Sequence, residues 1–379
     1  MFDYLRYYLP NLMVVAGIAG FLLGGQWVWL GFAGAIVIMI AGELLLGYEQ
    51  TVRTIRHPRL IRVPLYLHVP LMFGLFAAFA WRAGQGFGES GTASLLLAYA
   101  GSVLSASFLG AFANLPIIHE EFMHTRQPRL KILSLIMGTF WGNPLAWLPH
   151  VFVHHLHAGT AKDLDTPYRG QTLYHFTWRW GIGTFREGYR LEQDRMAQSG
   201  RSAWSWRSQV PWTIFLLAGL IAAFYLVGGW VGVGLVTASL LLGNFLIVPA
   251  FSYLQHYGTI RVPGEPYRPH HIIEHRTFFS RAATVEIVTH TNHHVNPYVP
   301  FYELKPSDID NKMPSSILCF LISLVPPLWT WYARPYLRNI DLAYASPEER
   351  LLAREANRKA GWPDWLSEQA APERELSNA

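Results

Sequence analysis

The apolar positions of this chain gather into long unbroken runs rather than amphipathic stripes. A helix needs about 20 apolar residues to cross a bilayer. Six such runs occur, at about 10–24, 27–48, 63–81, 93–116, 211–227 and 230–253. They predict an all-α integral membrane protein with about six transmembrane helices. Gly24-Gly25 parts the first two runs and Gly228-Gly229 the last two, so each pair is expected to be a helical hairpin with a very tight turn. A seventh run, 314–331, contains Pro326-Pro327. Paired prolines disrupt an intact helix, so a broken, surface-lying or re-entrant segment is expected there. The polar stretches 117–210 and 254–379 are left to form a cytoplasmic helical cap. With no internal repeat or low-complexity linker, 1–379 reads as a single membrane domain. Near its end Ser346, Pro347 and Glu349 form the start signal of a helix, and Gly361 its stop.

Composition supports the membrane reading. Hydrophobic residues are 51% of the 379 and charged residues 15%, against about 25% charged in an ordinary globular chain. Intrinsic disorder is excluded, and 55 charges are few to cover so apolar a chain in water. Charge placement sets the orientation. Lys and Arg number four in 48–62, eleven in 117–210 and thirteen in 254–379, which is 28 of the 30. The positive-inside rule puts these segments and both termini on the cytoplasmic side. The N-terminus carries Asp3 and Arg6 and has no clear small-residue cleavage site, which argues against a cleaved signal peptide. The lone cysteine, Cys319, excludes a disulfide scaffold, a cysteine zinc site and a self-contained iron–sulfur centre.

The chemistry lies in the histidines. Of sixteen, most cluster: His119 and His124; His150, His154 and His155; His290, His293 and His294; with His256 alone in Gln255-His256-Tyr257-Gly258. All lie on the side predicted to be cytoplasmic. Residues three or four apart share a helix face, so His150 with His154, and His290 with His294, can each aim at one point. Imidazole ligates iron, copper, zinc and nickel, and nine imidazoles exceed the needs of one ion, so two adjacent ions are expected. His119 and His124 are five apart; a π-bulge or a helix end between them would turn both inward. Glu120, Asp163 and Asp165 could orient the imidazoles from behind, although the aspartates read equally as surface acids. His57, His68 and His175 read as structural, and His157, His270, His271 and His275 as supporting or surface residues. Phe122, Trp141, Trp147 and Phe152 could line a flat substrate slot, and core packing explains them as well.

Several chemistries fit poorly. A zincin needs histidines four apart around a glutamate, and His119 to His124 does not comply. A soluble di-iron carboxylate bundle needs two Glu-x-x-His pairs, and only Glu121–His124 matches. A metal transporter would place polar ligands mid-membrane, where the runs hold little beyond Glu43 and His68. A histidine-rich metal-storage or sensor protein gives no reason for so large an apolar domain. Oxygen activation by non-haem iron beside a hydrophobic compartment fits best.

At these residues the chain resembles the membrane-bound di-iron alkane/xylene monooxygenase family of the fatty acid desaturase superfamily. Three histidine clusters are that superfamily's signature, and His256-Tyr257-Gly258 marks the alkane hydroxylase branch. The xylene-type members are matched at Leu5-Arg6-Tyr7-Tyr8-Leu9, Trp27-Val28-Trp29-Leu30-Gly31, Asp165 to Thr172, Phe301-Tyr302-Glu303-Leu304 and Lys359-Ala360-Gly361-Trp362-Pro363, nearly the whole chain. The resemblance implies insertion of one oxygen atom of O2 into a methyl group on an aromatic ring, as in toluene, xylene or p-cymene. Terminal n-alkane hydroxylation and fatty-acyl desaturation are its alternatives. It also implies two non-haem irons held by His119, His124, His150, His154, His155, His256, His290, His293 and His294. The first cluster departs from the family's usual four-residue spacing. The chain has no Gly-x-Gly-x-x-Gly fingerprint and no cysteine set. A separate reductase would therefore be required. The resemblance implies an NADH-dependent flavin and iron–sulfur reductase, docked on the basic cytoplasmic face of a bacterial inner membrane.

Overall fold

The computed structural model describes residues 2–367; the end of the expected cytoplasmic tail lies outside them. Among the described residues four helices are long and apolar enough to cross a membrane: Asp3–Leu23, Pro58–Gln85, Thr92–Met123 and Gln209–His256. A fifth arises if Gly25–Gly31 and Ala33–Leu46, bent by 42°, form one span. The Gln209–His256 run is barely covered by the rest of the chain, with Leu226 82% and Trp230 77% exposed. An apolar face of this extent belongs against lipid.

Straight, the 48 residues of that run would stretch about 72 Å, more than twice a hydrocarbon core of about 30 Å. The run is not straight. Gly229 takes φ 58°, ψ −151°, a region open to glycine and strained for other residues. A Cβ on Gly232 would lie 2.5 Å from the carbonyl oxygen of Phe224. Residues so separated in one continuous helix stand about 12 Å apart. The chain therefore doubles back at Gly228-Gly229, as the glycine pair predicts. Gly24, φ 78°, ends Asp3–Leu23 in the same way. There Arg82 takes up orphan carbonyls, donating to Phe21 O at 2.6 Å and Leu22 O at 2.8 Å.

The seventh apolar run is broken where its prolines stand. Helices Ser316–Ser323 and Pro326–Ala343 are separated by extended Val325. Helix Pro347–Ala360 has the expected capping box between Ser346 and Glu349, and Gly361 closes it in the left-handed conformation.

These C-terminal helices are tied to the histidine-bearing part by one buried cation. The Arg169 guanidinium makes two 2.7 Å bonds to the Asp341 carboxylate, one of 2.8 Å to Asn357 and one of 3.0 Å to Gly258 O. Removing one partner of a buried pair strands the other's charge, at about 3–5 kcal/mol. Arg169→Ala is therefore expected to release Pro347–Ala360 to protease in membrane preparations, while Arg354→Ala, at an exposed pair, leaves the digestion pattern unchanged.

Candidate metal centre

Four stretches of π-helix lie in or just ahead of histidine-bearing segments: Leu109–Ala113, Ile118–Met123, His150–His154 and Gly243–Ile247. Each has a proline nearby in sequence, Pro116, Pro149 or Pro249. Proline lacks the N–H of a normal helical turn and crowds the turn before it, and a wider i→i+5 turn accommodates that loss. Asn114 takes up a freed carbonyl, donating to Gly110 O at 3.0 Å and to Met137 O at 3.1 Å.

The wider turn changes which histidines face together. In a π-turn residues five apart share a face. His119 and His124 lie with ring centroids 4.8 Å apart, and His124 closes its helix with φ −91°, ψ 23°. Both the bulge and the helix end expected from the five-residue spacing are present. The same winding adds to the expectation for the second cluster, whose His150 and His154 do lie together beside Asp165, with ring centroids 4.9 Å apart. His150 groups with His155, five residues on, and with His119 and His124, while His154 turns to a second group with His256, His290 and His294. Within each group, one ligand atom from every residue lies within 4.8 Å of the others. His293 joins the first group, with ring centroids 4.4 Å from His119 and 4.5 Å from His124. All nine singled-out histidines thus meet, five on one side and four on the other.

Carboxylates back these rings. Glu120 Oε1 lies 2.8 Å from His119 Nδ1, and Asp163 Oδ2 lies 2.9 Å from His154 Nδ1. Asp165 Oδ2 stands 3.6 Å from Nδ1 of both His150 and His154. Both aspartates are buried, so the surface-acid reading fails. Asp165 is itself fixed by the Trp180 indole and by Ser252 Oγ at 3.3 Å. A carboxylate at Nδ1 holds the proton there and leaves Nε2 as a lone pair. His119 Nε2, His124 Nε2 and His150 Nε2 are buried without a partner, and so are both ring nitrogens of His256. His290 and His294 face each other Nε2 to Nε2 at 3.0 Å, as His155 and His293 do at 3.3 Å. So many orphaned, convergent nitrogens fit metal ions.

Burial first, and the neighbouring imidazoles second, hold His124, His155, His290, His293 and His294 well below the usual histidine range. Burial lowers His150 as well, and Asp165 partly opposes it. Burial also disfavours charge on His154, but Asp163 and Asp165 outweigh it and raise its pKa. Apart from His154, these imidazoles are therefore held in the form that keeps a lone pair at neutral pH.

The histidines read as structural or supporting stay out of the cluster. His68 is buried against Asn11 Oδ1 at 2.8 Å, His57 and His175 are exposed, and His275 contacts Pro314 O. His270 and His271 both contact the Glu349 carboxylate, at 3.0 Å and 2.5 Å. Arg268 N donates to His271 Nδ1 at 3.1 Å, so His271 carries its proton on Nε2 and ties down the C-terminal helix.

A narrow apolar cavity ends on His119, His150, His154 and His290, walled by Leu115, Met123, Trp141, Trp180, Phe251 and Ile287. Of the four aromatics expected to line a slot, only Trp141 does. Phe122 packs on Tyr66, Trp147 bonds Gln209, and Phe152 is half-exposed. Sequence reasoning missed Trp180, Phe251 and Ile287, because tertiary packing alone brings them together. It also missed Glu286, which accepts from Tyr7, Arg53, Arg281 and Thr289 at 2.6–3.1 Å. Glu286 and Val285 both take positive φ, a strained pair just before the His290 helix.

A helical membrane chain with two facing imidazole groups at the end of an apolar cavity defines a class, the membrane-embedded histidine-rich metalloenzymes. The profile of the fatty acid desaturase family matches residues 92–308, and the chain belongs to that family, in its membrane monooxygenase branch. It is 37% identical to the hydroxylase component of xylene/toluene monooxygenase from Pseudomonas putida, over 96% of this chain and 97% of that one. Alkane 1-monooxygenase 1 of Pseudomonas aeruginosa is 27% identical over 56% of both chains. An alkane 1-monooxygenase of Pseudomonas putida is 25% identical over 79% of this chain and 74% of that one.

Two outcomes follow from the geometry. Burial holds His124, His150, His155, His290, His293 and His294 below the ordinary imidazole pKa of about 6.5. Metal uptake by stripped protein at the group containing His150 and His155 should therefore have its midpoint below that pH. His154, whose pKa is raised, makes uptake at its own group the more pH-sensitive. A midpoint above that pH at both groups would contradict the burial argument. Asp163→Asn should weaken metal retention by about 10–100-fold, read by competition with a chelator, and should leave the protein in the membrane.

Proposed function

We propose that this chain hydroxylates a methyl group on an aromatic hydrocarbon of the toluene, xylene or p-cymene type, giving a benzylic alcohol. The observation that carries the reading is the apolar cavity ending on two opposed imidazole groups. The 37% identity to the xylene/toluene hydroxylase component, over nearly the whole of both chains, supports the substrate class.

His119, His124, His150, His155 and His293 would hold one iron, and His154, His256, His290 and His294 the other. Bound iron would supply O2 activation and the change of oxidation state. The chain's own residues do the rest. The cavity walls hold the ring, with its methyl toward the imidazoles, and exclude water. Glu120, Asp163 and Asp165 keep the protons at Nδ1, so that Nε2 faces inward. The substrate C–H becomes C–O–H, the second oxygen atom leaves as water, and NADH supplies two electrons through a separate flavin and iron–sulfur reductase.

In this reading residues 1–379 act as one domain with six spans in a bacterial inner membrane. Both termini and the histidine-bearing stretches 117–210 and 254–379 face the cytoplasm. The placement of 28 of 30 basic residues and the reversal at Gly229 support that topology.

Purified protein should carry two irons per chain and little zinc; stoichiometric zinc alone would overturn the oxygenase reading. His294→Ala should abolish turnover, and His57→Ala should change it little. The test of substrate class is whole-cell conversion with a xylene-type reductase, supplying toluene, p-xylene, p-cymene and octane side by side. Benzylic alcohols with little 1-octanol are expected. Preferential 1-octanol would make the chain an alkane hydroxylase, and no product from any substrate would favour a non-catalytic metal-binding protein.

A further inference from the structure

A second apolar cavity lies beside the one that ends on the histidines. Its walls include Phe108, Phe112, Ile247, Leu254 and Phe320, and it touches none of the nine clustered histidines. One residue, Phe251, belongs to both cavities. It stands on helix Val248–His256, one and a half turns before His256 and just past the π-segment Gly243–Ile247. Its ring packs on Phe112 at a centroid distance of 5.3 Å, and Phe112 stacks on Phe108 at 4.7 Å. The side chain is buried.

We infer that Phe251 is the partition that sets substrate length. With the ring in place, the chamber beside the histidines is walled off on that side, which favours a compact molecule, one aromatic ring with its methyl, over an elongated one. A longer alkyl substituent would have to run through the position of the Phe251 ring into the second chamber. Phe251 is itself apolar and most of its neighbours in the two walls are too, so size and not polarity is what it reads. Hydrophobic pockets discriminate single methylenes weakly, by about 10–200-fold, whereas a ring filling the only shared wall excludes a whole chain segment by overlap. The nature of the ligand rests on the function proposed above; the partition itself rests on the two cavities.

The test compares toluene with 4-butyltoluene in whole cells carrying the same reductase. Phe251→Ala should raise the ratio of 4-butylbenzyl alcohol to benzyl alcohol by on the order of tenfold or more. Phe320→Ala, which enlarges the second chamber but leaves the partition standing, should leave the ratio unchanged. Phe251→Leu carries the same comparison if the alanine variant fails to accumulate, with a smaller rise expected. An unchanged ratio in the Phe251 variants at normal metal content, or a rise with Phe320→Ala equal to that with Phe251→Ala, would overturn the partition. If wild-type cells oxidise neither arene, the proposed function fails, and a binding readout decides the partition alone. In metal-loaded protein in detergent, 4-butyltoluene should raise Tm more than toluene does for Phe251→Ala and less than toluene does for wild type; the same order in both proteins would sink the proposal.

Discussion

Nine imidazoles packed ring against ring in the interior have more ring nitrogens than partners within the chain. An unpaired buried nitrogen costs free energy, and an imidazolium beside other imidazoles costs more. Much of the remaining architecture answers that constraint. Glu120, Asp163 and Asp165 occupy outward-facing Nδ1 atoms, fixing those rings and directing the unmet lone pairs to two common points. A packed apolar core would be the easier way to fill this volume. Concentrating so many orphaned acceptors has a physical rationale when cations fill the two points.

The second requirement is convergence from distant parts of the chain. His119 and His124 end a membrane-length helix, His256 ends another, and the remaining histidines sit on short helical turns. The π-segments beside Pro116, Pro149 and Pro249 widen the turns, so that residues five apart share a face. Stiff anchors then hold the pieces together. Glu286, just ahead of the His290 helix, gathers Tyr7, Arg53 and Arg281 from the N-terminal and loop segments around a strained backbone. Arg169, four residues past Asp165, fastens the C-terminal helices through Asp341 and Asn357. These ion pairs are buried, so each partner needs the other, and removing one leaves an uncompensated buried charge.

The apolar chambers connect the membrane-facing part to the chemistry. Their walls come from helices of membrane length and from the short segments that carry the ligands, so one packing arrangement sets both cavity shape and imidazole position. Trp180 illustrates the coupling, since its ring lines the cavity while its indole N–H holds Asp165. A substitution at Trp180 would therefore change the support behind His150 and His154 as well as the cavity wall.

Much of this was legible in the chain itself. Apolar runs, glycine pairs and the Pro326-Pro327 break are local signals, and helix formation in an apolar stretch is local, so membrane-length helices, the Gly229 reversal and the broken seventh run could all be read. The nine histidines were legible because multiple imidazoles at helical spacings rarely serve packing. The division of those histidines was not, since an ideal 3.6-residue turn pairs His150 with His154 alone, whereas the π-winding also brings His150 to His155 and lets His154 join His256, His290 and His294. The cavity walls were not legible either. Phe122, Trp147 and Phe152 are near the ligands in sequence, yet Phe251, Trp180 and Ile287 are the ones that reach the cavity. Sequence patterns fix which residues form helices and carry ligand chemistry, because those depend on near neighbours. Which side chains meet across the molecule depends on helix packing and winding, and only the tertiary structure decides that.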